Sequence, residues 1–285
     1  MNNLKTGILL TLLTALFVWL GAALGGSSGA KLAFVFAVVM NVGAYWFSDK
    51  IVLRMYGARE VSEAEAPQLY GAVADLAQRA QVPMPKVYVI PSPALNAFAT
   101  GRNPSHAAVA VTEGLMRHLD RNELTGVLAH ELCHVKHRDI LIGTIAATLV
   151  GAISMLSNMA QWGAMFGGGH RDEEGNSNIF VVLIVSMVSA LAATLIQLAI
   201  SRSREYQADA GAARLLGTPQ PLISALRKLE IGAERMPLPA TQASAHLFIV
   251  NPLRGQGIAK LFSTHPALED RIARLQSLSP GSMAA

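Results

Sequence analysis

Charged, cysteine and aromatic residues are all scarce in this chain of 285 residues. Asp, Glu, Lys and Arg make up only 15% of it, against 52% hydrophobic residues, and the mean hydropathy is +0.36. That is too apolar for an ordinary soluble domain, in which about 25% of residues are charged. The single cysteine, Cys133, excludes an intrachain disulfide. No segment interleaves basic with aromatic residues, so the net charge of +4 favours a membrane surface over nucleic acid as partner.

The sequence contains four long apolar runs. Each of the four is about long enough to cross a lipid bilayer as a helix. The first two follow one another closely, which predicts a transmembrane hairpin rather than a cleaved signal peptide. The third contains Asn158 and Gln161, so a buried core helix is its alternative. The runs cover about Gly7–Leu24, Leu32–Phe47, Ile140–Phe166 and Ile179–Ile200.

Lysine and arginine flank these runs unevenly. Lys5 precedes the first run, and two or three basic residues lie close after the second, before the third and after the fourth, whereas the opposite side has only Lys31 and Arg171. By the positive-inside rule, both termini and the segment between the second and third runs are cytoplasmic. We therefore expect a transmembrane hairpin at 1–50, a cytoplasmic segment at 51–139, a second transmembrane pair at 140–200 and a second cytoplasmic segment at 201–285.

The pentapeptide from His130 to His134 carries the main chemical signal, because it has the sequence His-Glu-Leu-Cys-His. Asp120 and Glu123 form a capping box that predicts a helix starting near Arg121 and leading into the motif. Residues i and i+4 share a helix face, so both imidazoles can reach one metal ion while Glu131 holds a water bound to it. The motif predicts a zinc hydrolase centre, and a surface helix with two solvated histidines is the alternative.

A third ligand is needed, because catalytic zinc usually has three protein ligands. Glu205 and Asp209 are again i and i+4 and share a helix face. Glu205 could ligate the metal, and Asp209 could accept a hydrogen bond from a ligating histidine and fix its tautomer. An ordinary charged helix end is the alternative. Cys133 points off the histidine face, so we interpret it as a packing residue and not as a ligand.

A small sheet is predicted ahead of the motif. Ser62 and Glu65 form a second capping box, which predicts a helix running to about Ala80. An extended peptide can add to the edge of such a sheet through main-chain hydrogen bonds, which suits a protease of broad specificity. The fold class expected is a mainly α-helical integral membrane protein with a small β-sheet. The predicted strands are Lys86–Ile90, Asn96–Gly101 and Ala107–Thr112.

Four blocks of sequence together resemble the HtpX-type membrane metalloproteases, a gluzincin family related to the CAAX prenyl endoproteases. The blocks are the motif at His130–His134, Asn96–Gly101, Ser203–Asp209 and Ser263–Pro266, and they occur in the family's order. The resemblance implies a zincin-like cytoplasmic catalytic domain carried on about four transmembrane helices. It further implies a bacterial inner-membrane endopeptidase that cleaves misfolded or damaged proteins under stress, alongside other membrane quality-control proteases.

The resemblance also implies roles for individual residues. Glu131 would be the general base, and Asp209 would support a ligand. His265 would stabilise the oxyanion. Cys133 stands where a small serine is expected, at a position that is not a ligand. One zinc ion per chain would be bound by His130, His134 and Glu205, and the substrate edge would be formed by Asn96, Ala97, Phe98, Ala99 and Thr100.

Three other functions compete with a surface-facing protease. An intramembrane protease is disfavoured because Lys136, His137 and Arg138 place the motif at the interface. A metal-binding membrane scaffold or chaperone without proteolysis would have no need of Glu131. A metal-regulated transporter is disfavoured because the first, third and fourth apolar runs contain no ionisable residue. Two histidines and a glutamate suit zinc better than other divalent metals.

Overall fold

The computed structural model describes residues 2–141, 145, 202–235, 249 and 266–278. Within them the fold is mostly helical with one small mixed sheet, as expected. The helices are α1 (Asn2–Met55), α2 (Pro67–Ala80), α3 (Glu113–His118), α4 (Arg121–Lys136), α5 (Arg202–Leu216), α6 (Gln220–Arg235) and α7 (Leu268–Gln276). The strands are β1 (Arg59–Glu60), β2 (Lys86–Ile90), β3 (Ala97–Gly101) and β4 (Ala107–Thr112).

Helix α1 is a hairpin of two arms that are broken apart at Gly25 and Gly26. Gly26 has φ of +60°, a left-handed conformation that glycine adopts without steric cost. The arms approach closely beside the break, since a Cβ on Gly21 would lie 2.5 Å from the carbonyl oxygen of Gly29. The glycine-rich stretch between the first two apolar runs therefore makes the turn of a hairpin.

The two arms pack against each other and leave large apolar side chains outside. Asn41 Nδ2 donates a 2.8 Å hydrogen bond to Thr14 Oγ1 between the arms. The second arm, Gly25–Met55, is long and apolar enough to cross a membrane, and the first contains the shorter apolar helix Thr6–Ala22. The second arm continues beyond residue 50, where we expected the hairpin to end. The predicted third and fourth runs lie outside the described residues, except for 140, 141 and 145.

The sheet has the order β1-β2-β4-β3, with β2 and β4 parallel and both edge strands antiparallel to their neighbours. Alternate residues face opposite sides. Val87 and Val109 pack into the core with α2 and α4, whereas Phe98 and Ala110 pack on Val52 at the end of α1. Both faces are thus covered, and β3 forms an edge between the membrane hairpin and α4.

Helix α2 begins at Pro67, later than the capping box at Ser62 predicts. The backbone N–H of Ser62 does donate to Glu65 Oε2 at 2.8 Å, but this closes a turn rather than a helix. Proline disfavours helical geometry in the residue before it, and Ala66 accordingly has φ of −140°. The helix can start only at the proline itself.

Helix α4 is the buried centre of the catalytic region. The reciprocal hydrogen bonds of its capping box, between Asp120 and Glu123, are both present, which confirms the predicted start. It packs against α2, β3, α5 and α6. The helix ends at Lys136, and Arg138 has φ of +59°. It does not run straight into the third apolar run, because a left-handed residue interrupts the hydrogen-bond ladder.

Helices α5, α6 and α7 close the other side of α4. Cys133 packs on α5 so closely that a Cβ on Gly211 would lie 2.7 Å from its Sγ. Helix α7 contacts α5 and α6, and its buried residues Leu268 and Leu275 join the core. This arrangement brings the chain's last described helix to the back of the motif on α4.

Candidate metal centre

Three side chains of metal-binding type converge between α4 and α5. His130, His134 and Glu205 each offer one ligand atom, and these atoms all lie within 4.8 Å of one another. Oε2 of Glu205 lies 3.7 Å from Nε2 of His130, and Oε1 lies 3.6 Å from Nε2 of His134. The three residues that the sequence proposes as ligands are therefore brought together by the fold.

The two imidazoles face each other through nitrogen atoms that need a cation between them. Nε2 of His130 and Nε2 of His134 are 3.2 Å apart. If each ring gives its Nδ1 proton to a carboxylate, both Nε2 atoms carry lone pairs and repel unless a proton or a metal ion lies between them. Nitrogens on a tetrahedral zinc, at about 2.0–2.1 Å, would be about 3.3 Å apart, so the donor set fits zinc.

Behind His130 lies a buried carboxylate and behind that a buried arginine. Nδ1 of His130 is 2.9 Å from Oδ1 of Asp209 on α5. Arg271 on α7 donates two hydrogen bonds to the same carboxylate, from Nε to Oδ2 at 2.8 Å and from Nη2 to Oδ1 at 2.7 Å. Arg271 is only 1% exposed. Asp209 thus lies where the sequence predicts it, and Arg271 is a residue that the sequence analysis missed.

Behind His134 lies a different carboxylate. Nδ1 of His134 is 3.3 Å from Oδ2 of Asp139, which follows the end of α4. Arg204 Nη1 on α5 is 3.7 Å from Oδ1 of that aspartate. The sequence analysis missed Asp139 too. Each imidazole therefore has a carboxylate beside its Nδ1 atom, an arrangement that is typical of metal-ligating histidines.

Glu131 connects the motif helix to the sheet. Its Oε2 accepts a 2.8 Å hydrogen bond from the backbone N–H of Ala99, in the middle of edge strand β3. Burial raises the pKa of Glu131, and the neighbouring charge of Glu205 adds to this. A carboxyl with a raised pKa, close to the metal ligands and to a strand edge, is suited to exchange a proton with bound water.

The charges at the centre oppose the effect of burial. Burial alone would lower the pKa of His134, but the hydrogen bond to Asp139 and the charges of Glu205 and Glu131 raise it to about 9. Burial alone would raise the pKa of Asp209, but the charge and hydrogen bonds of Arg271 lower it. Asp209 is therefore held ionised beside Arg271, which is how a low-dielectric site keeps charge.

The proposed substrate edge is β3 with the residue before it. Ala97, Phe98, Ala99 and Thr100 are all buried in the structure. Asn96 is also buried, and its Oδ1 accepts a 3.3 Å hydrogen bond from the N–H of Ile249. The carbonyl of Ile249 in turn accepts from Arg271 Nη1 at 2.8 Å. His265, proposed for the oxyanion, lies outside the described residues.

The sequence does contain a signal for Arg271. The apolar stripe of α7 runs through Leu268, Ile272 and Leu275, and Arg271 interrupts it at helical spacing. A cation on the buried face of a short amphipathic helix needs a buried acid. For Asp139 the signal is weaker: an acid that follows the end of the motif helix, close to His134 in sequence.

Comparison with known proteins finds peptidases over most of this chain. The family model described as peptidase family M48 matches residues 63–279. A protein described as a protease HtpX homolog from Syntrophotalea carbinolica is 56% identical over 282 residues, covering 98% of this chain and 99% of that one. The homolog from Thermococcus kodakarensis is 52% identical over 277 residues, covering 97% and 96%.

A solved structure shares the fold. The crystal structure of S. mikatae Ste24p superposes with a TM-score of 0.51 at 21% identity, over 94% of this chain. This chain spans 62% of the length of that one. At this identity the likeness concerns the arrangement of elements, which agrees with a helical protein built around a small sheet.

Proposed function

The chain belongs to peptidase family M48 and is a membrane-bound metalloprotease, and from this premise we propose that it is a zinc endopeptidase. In this proposal His130, His134 and Glu205 bind the zinc, Glu131 is the general base and Asp209 orients His130. The observation that carries it is the meeting of two imidazole nitrogens and one carboxylate within 4.8 Å, from two helices. Two nitrogens and an oxygen with an open fourth position suit catalytic zinc.

The chain's own side chains then divide the chemistry among them. Zinc bound here would supply Lewis acidity, which activates water and polarises a peptide carbonyl. Glu131 takes the proton of the attacking water and returns it to the leaving amine. Asp209 and Asp139 hold the Nδ1 protons of the two histidines, so that both Nε2 atoms face the metal. The resemblance leaves His265 as the candidate donor to the oxyanion.

A polypeptide substrate is proposed to lie along the edge of β3 that faces away from β4. The N–H of Ala99 points away from β4 toward Glu131, and by the alternation of an antiparallel ladder Ala97 faces the same edge. A peptide paired there would present its backbone beside Glu131. Recognition through the backbone supports broad specificity, and hence misfolded or damaged membrane and cytoplasmic proteins as substrates in quality control under stress.

We further propose the bacterial inner membrane as the location, with four transmembrane helices and with the active site and both termini in the cytoplasm. The distribution of Lys and Arg supports this orientation. The exposed apolar surface of the α1 hairpin supports insertion, since Trp19 and Phe34 are 56% and 53% exposed. Other membrane quality-control proteases are proposed as partners.

The test is zinc-dependent proteolysis by the full chain. The protein is purified in detergent with a chelator, zinc is added, and cleavage of an unfolded casein substrate is followed. Glu131→Gln should abolish turnover while zinc stays bound, because the base is lost and the ligands are kept. Glu113→Gln, which removes an exposed carboxylate on α3, is the matched control and should behave like the native chain.

Metal content separates the possible failures. Glu205→Ala should lose zinc, and full occupancy in that variant would remove Glu205 from the ligand set. Undiminished cleavage by Glu131→Gln would contradict the proposed base. Stoichiometric zinc without cleavage by the native chain would favour the scaffold or chaperone, an alternative that membership of a peptidase family disfavours.

A further inference from the structure

The loop after β3 touches the membrane hairpin through an arginine and a tryptophan. Cζ of Arg102 lies 4.7 Å from the ring centroid of Trp46, which is a cation–π distance. Arg102 directly follows edge strand β3, and Trp46 lies in the second arm of α1. This contact joins the end of the proposed substrate edge to the hairpin.

Trp46 lies where the hairpin leaves the bilayer. It stacks edge-to-face on Tyr45 at 5.5 Å, and paired aromatic residues of this kind mark the membrane–water interface. Val52, further along the same arm, is already buried beneath the sheet. At about 1.5 Å per residue, the sheet therefore starts about 9 Å beyond Trp46. Half of the Trp46 side chain is nevertheless exposed, at 50%.

Two further cations follow Trp46 along the same helix face. Lys50 and Arg54 are one and two turns beyond it, and both are exposed. Among the residues that the structure describes, neither they nor Arg102 form an ion pair. The nearest acid in sequence is Asp49, whose charge, after burial and Glu60, contributes to raising the pKa of Tyr88 on β2 to about 12.

We propose that Trp46, Lys50, Arg54 and Arg102, here named the interface cluster, bind the headgroup of an anionic phospholipid. Three cations that pair with no acid in the described part of the chain lie beside or beyond this indole and complement a phosphate diester in charge. A guanidinium can bind such a diester with two parallel hydrogen bonds. The proposal rests on the hairpin being in the membrane but not on the proteolytic activity. Its consequence is that the lipid surface fixes Arg102, about 10 Å along β3 from Ala99.

Fluorescence of Trp46 gives a direct test. In the full chain carrying Trp19→Phe and Trp162→Phe, Trp46 is the only tryptophan. The protein is placed in phosphatidylcholine vesicles that contain a small fraction of brominated phosphatidylglycerol or, for comparison, the same fraction of brominated phosphatidylcholine. Enrichment of the anionic lipid at the cluster should make it the stronger quencher at equal mole fraction.

Variants of the cluster show which charges matter. Each removed cation should weaken enrichment about fivefold, the factor that corresponds to about 1 kcal/mol per basic residue at a membrane surface. Lys50→Gln and Arg102→Gln should thus bring quenching by the two lipids close together. Arg102→Lys keeps the charge and should keep most of the preference. Arg79→Gln, on α2 at the opposite face of the sheet, should leave it unchanged.

Two outcomes would overturn the proposal. The first is equal quenching of the native cluster by the two brominated lipids, and the second is an undiminished preference in the Lys50→Gln/Arg102→Gln double variant. Far-ultraviolet circular dichroism and zinc content show that each variant is folded. Inorganic phosphate at about 10 mM should not displace the lipid, and displacement would identify a free-anion site and contradict a lipid one.

Discussion

The two histidines of the motif have the same chemical arrangement behind them but obtain it from different parts of the chain. His130 is supported by Asp209 and Arg271, which come from α5 and α7 and are 3% and 1% exposed. His134 is supported by Asp139, which lies just past the end of its own helix, and its side chain is 15% exposed. One support is a bidentate ion pair from two helices that are distant in sequence, and the other is a local aspartate with a longer contact of 3.7 Å to Arg204.

Because of this difference, orientation of the histidine ligands and stability of the fold should respond differently when each support is removed. Both carboxylates can fix the tautomer of a ligand, so both should matter for metal affinity. Asp209 and Arg271 are joined by two short hydrogen bonds and are 3% and 1% exposed, whereas Asp139 and Arg204 are 3.7 Å apart and both 8% exposed. The loss of one partner should therefore leave the more costly uncompensated charge behind His130. The support of His130 should therefore hold the fold together as well as the metal, whereas the support of His134 should act mainly on the metal.

Arg271→Met should have the largest effect. It leaves the buried carboxylate of Asp209 without a counterion and should lower the free energy of unfolding by about 3–5 kcal/mol. Zinc affinity should fall about 10–100-fold. Denaturant unfolding and zinc competition with a chelator measure the two effects. Arg274→Met is the control on the same helix, where the arginine stacks on Tyr206 at 3.8 Å, and it should cost about 1 kcal/mol or less. Equal free energies of unfolding for Arg271→Met and Arg274→Met would show that the support of His130 does not stabilise the fold.

Asp139→Asn should weaken zinc binding by about tenfold but cost only about 1–2 kcal/mol of stability. The reason is that His134 and Asp139 are held at the edge of the site by a long hydrogen bond of 3.3 Å. Asp75→Asn, on the exposed side of α2, is the control and should change neither quantity. A loss of stability as large as that of Arg271→Met would show that the local support is structural too.

The pH dependence of zinc binding should report the protonation of His134, to which Asp139 contributes most among the groups that raise its pKa. The pKa of His134 is about 9 in the folded zinc-free protein, above its ordinary 6.5. The stability it contributes is fully present below pH 6.5 and is lost as the pH rises through 9. Zinc must displace this proton, so its affinity should rise by up to about tenfold per pH unit between 6.5 and 9.

Asp139→Asn should flatten this dependence, because it removes the partner that raises the pKa of His134 most. Chelator competition at several pH values, with and without the substitution, makes the comparison. A native affinity that does not change across this range would mean that His134 is not protonated in the zinc-free protein.

Cys133→Ser should have the smallest effect. Cys133 lies between the two histidines in sequence but packs on Gly211 and belongs to neither support. Burial raises the pKa of its thiol to about 11, so it should alkylate slowly in the folded protein. Zinc content and turnover should change less than about twofold. Loss of zinc in this variant would show that the packing of Cys133 against α5 is needed for metal binding.

Local patterns in the sequence were enough to locate the motif helix and its two histidines. The capping box at Asp120 and the i, i+4 spacing are contained in α4, and the structure has both. Glu205 and Asp209 could be proposed because a zinc site lacks a third ligand after two histidines. The strands β2, β3 and β4 were also predicted, because each is a short run of residues with high β-propensity.

What the sequence analysis missed depends on contacts between distant segments. Arg271 can bind Asp209 only when α7 packs on α5, and no local pattern in the sequence identifies Asp209 as its partner. The two-residue strand β1 was missed because it is too short to show any periodicity. The late start of α2 was missed because Pro67 overrides the favourable capping residues before it.

The position of Arg271 in the last described helix also sets a time at which the enzyme can be completed. In a nascent chain the motif of α4 is synthesised well before α7, which carries the counterion of Asp209. A nascent chain that already carries its three proposed ligands thus still lacks the support of His130. The proposed metal centre should therefore reach its final geometry only after α7 has been synthesised and has packed on α5.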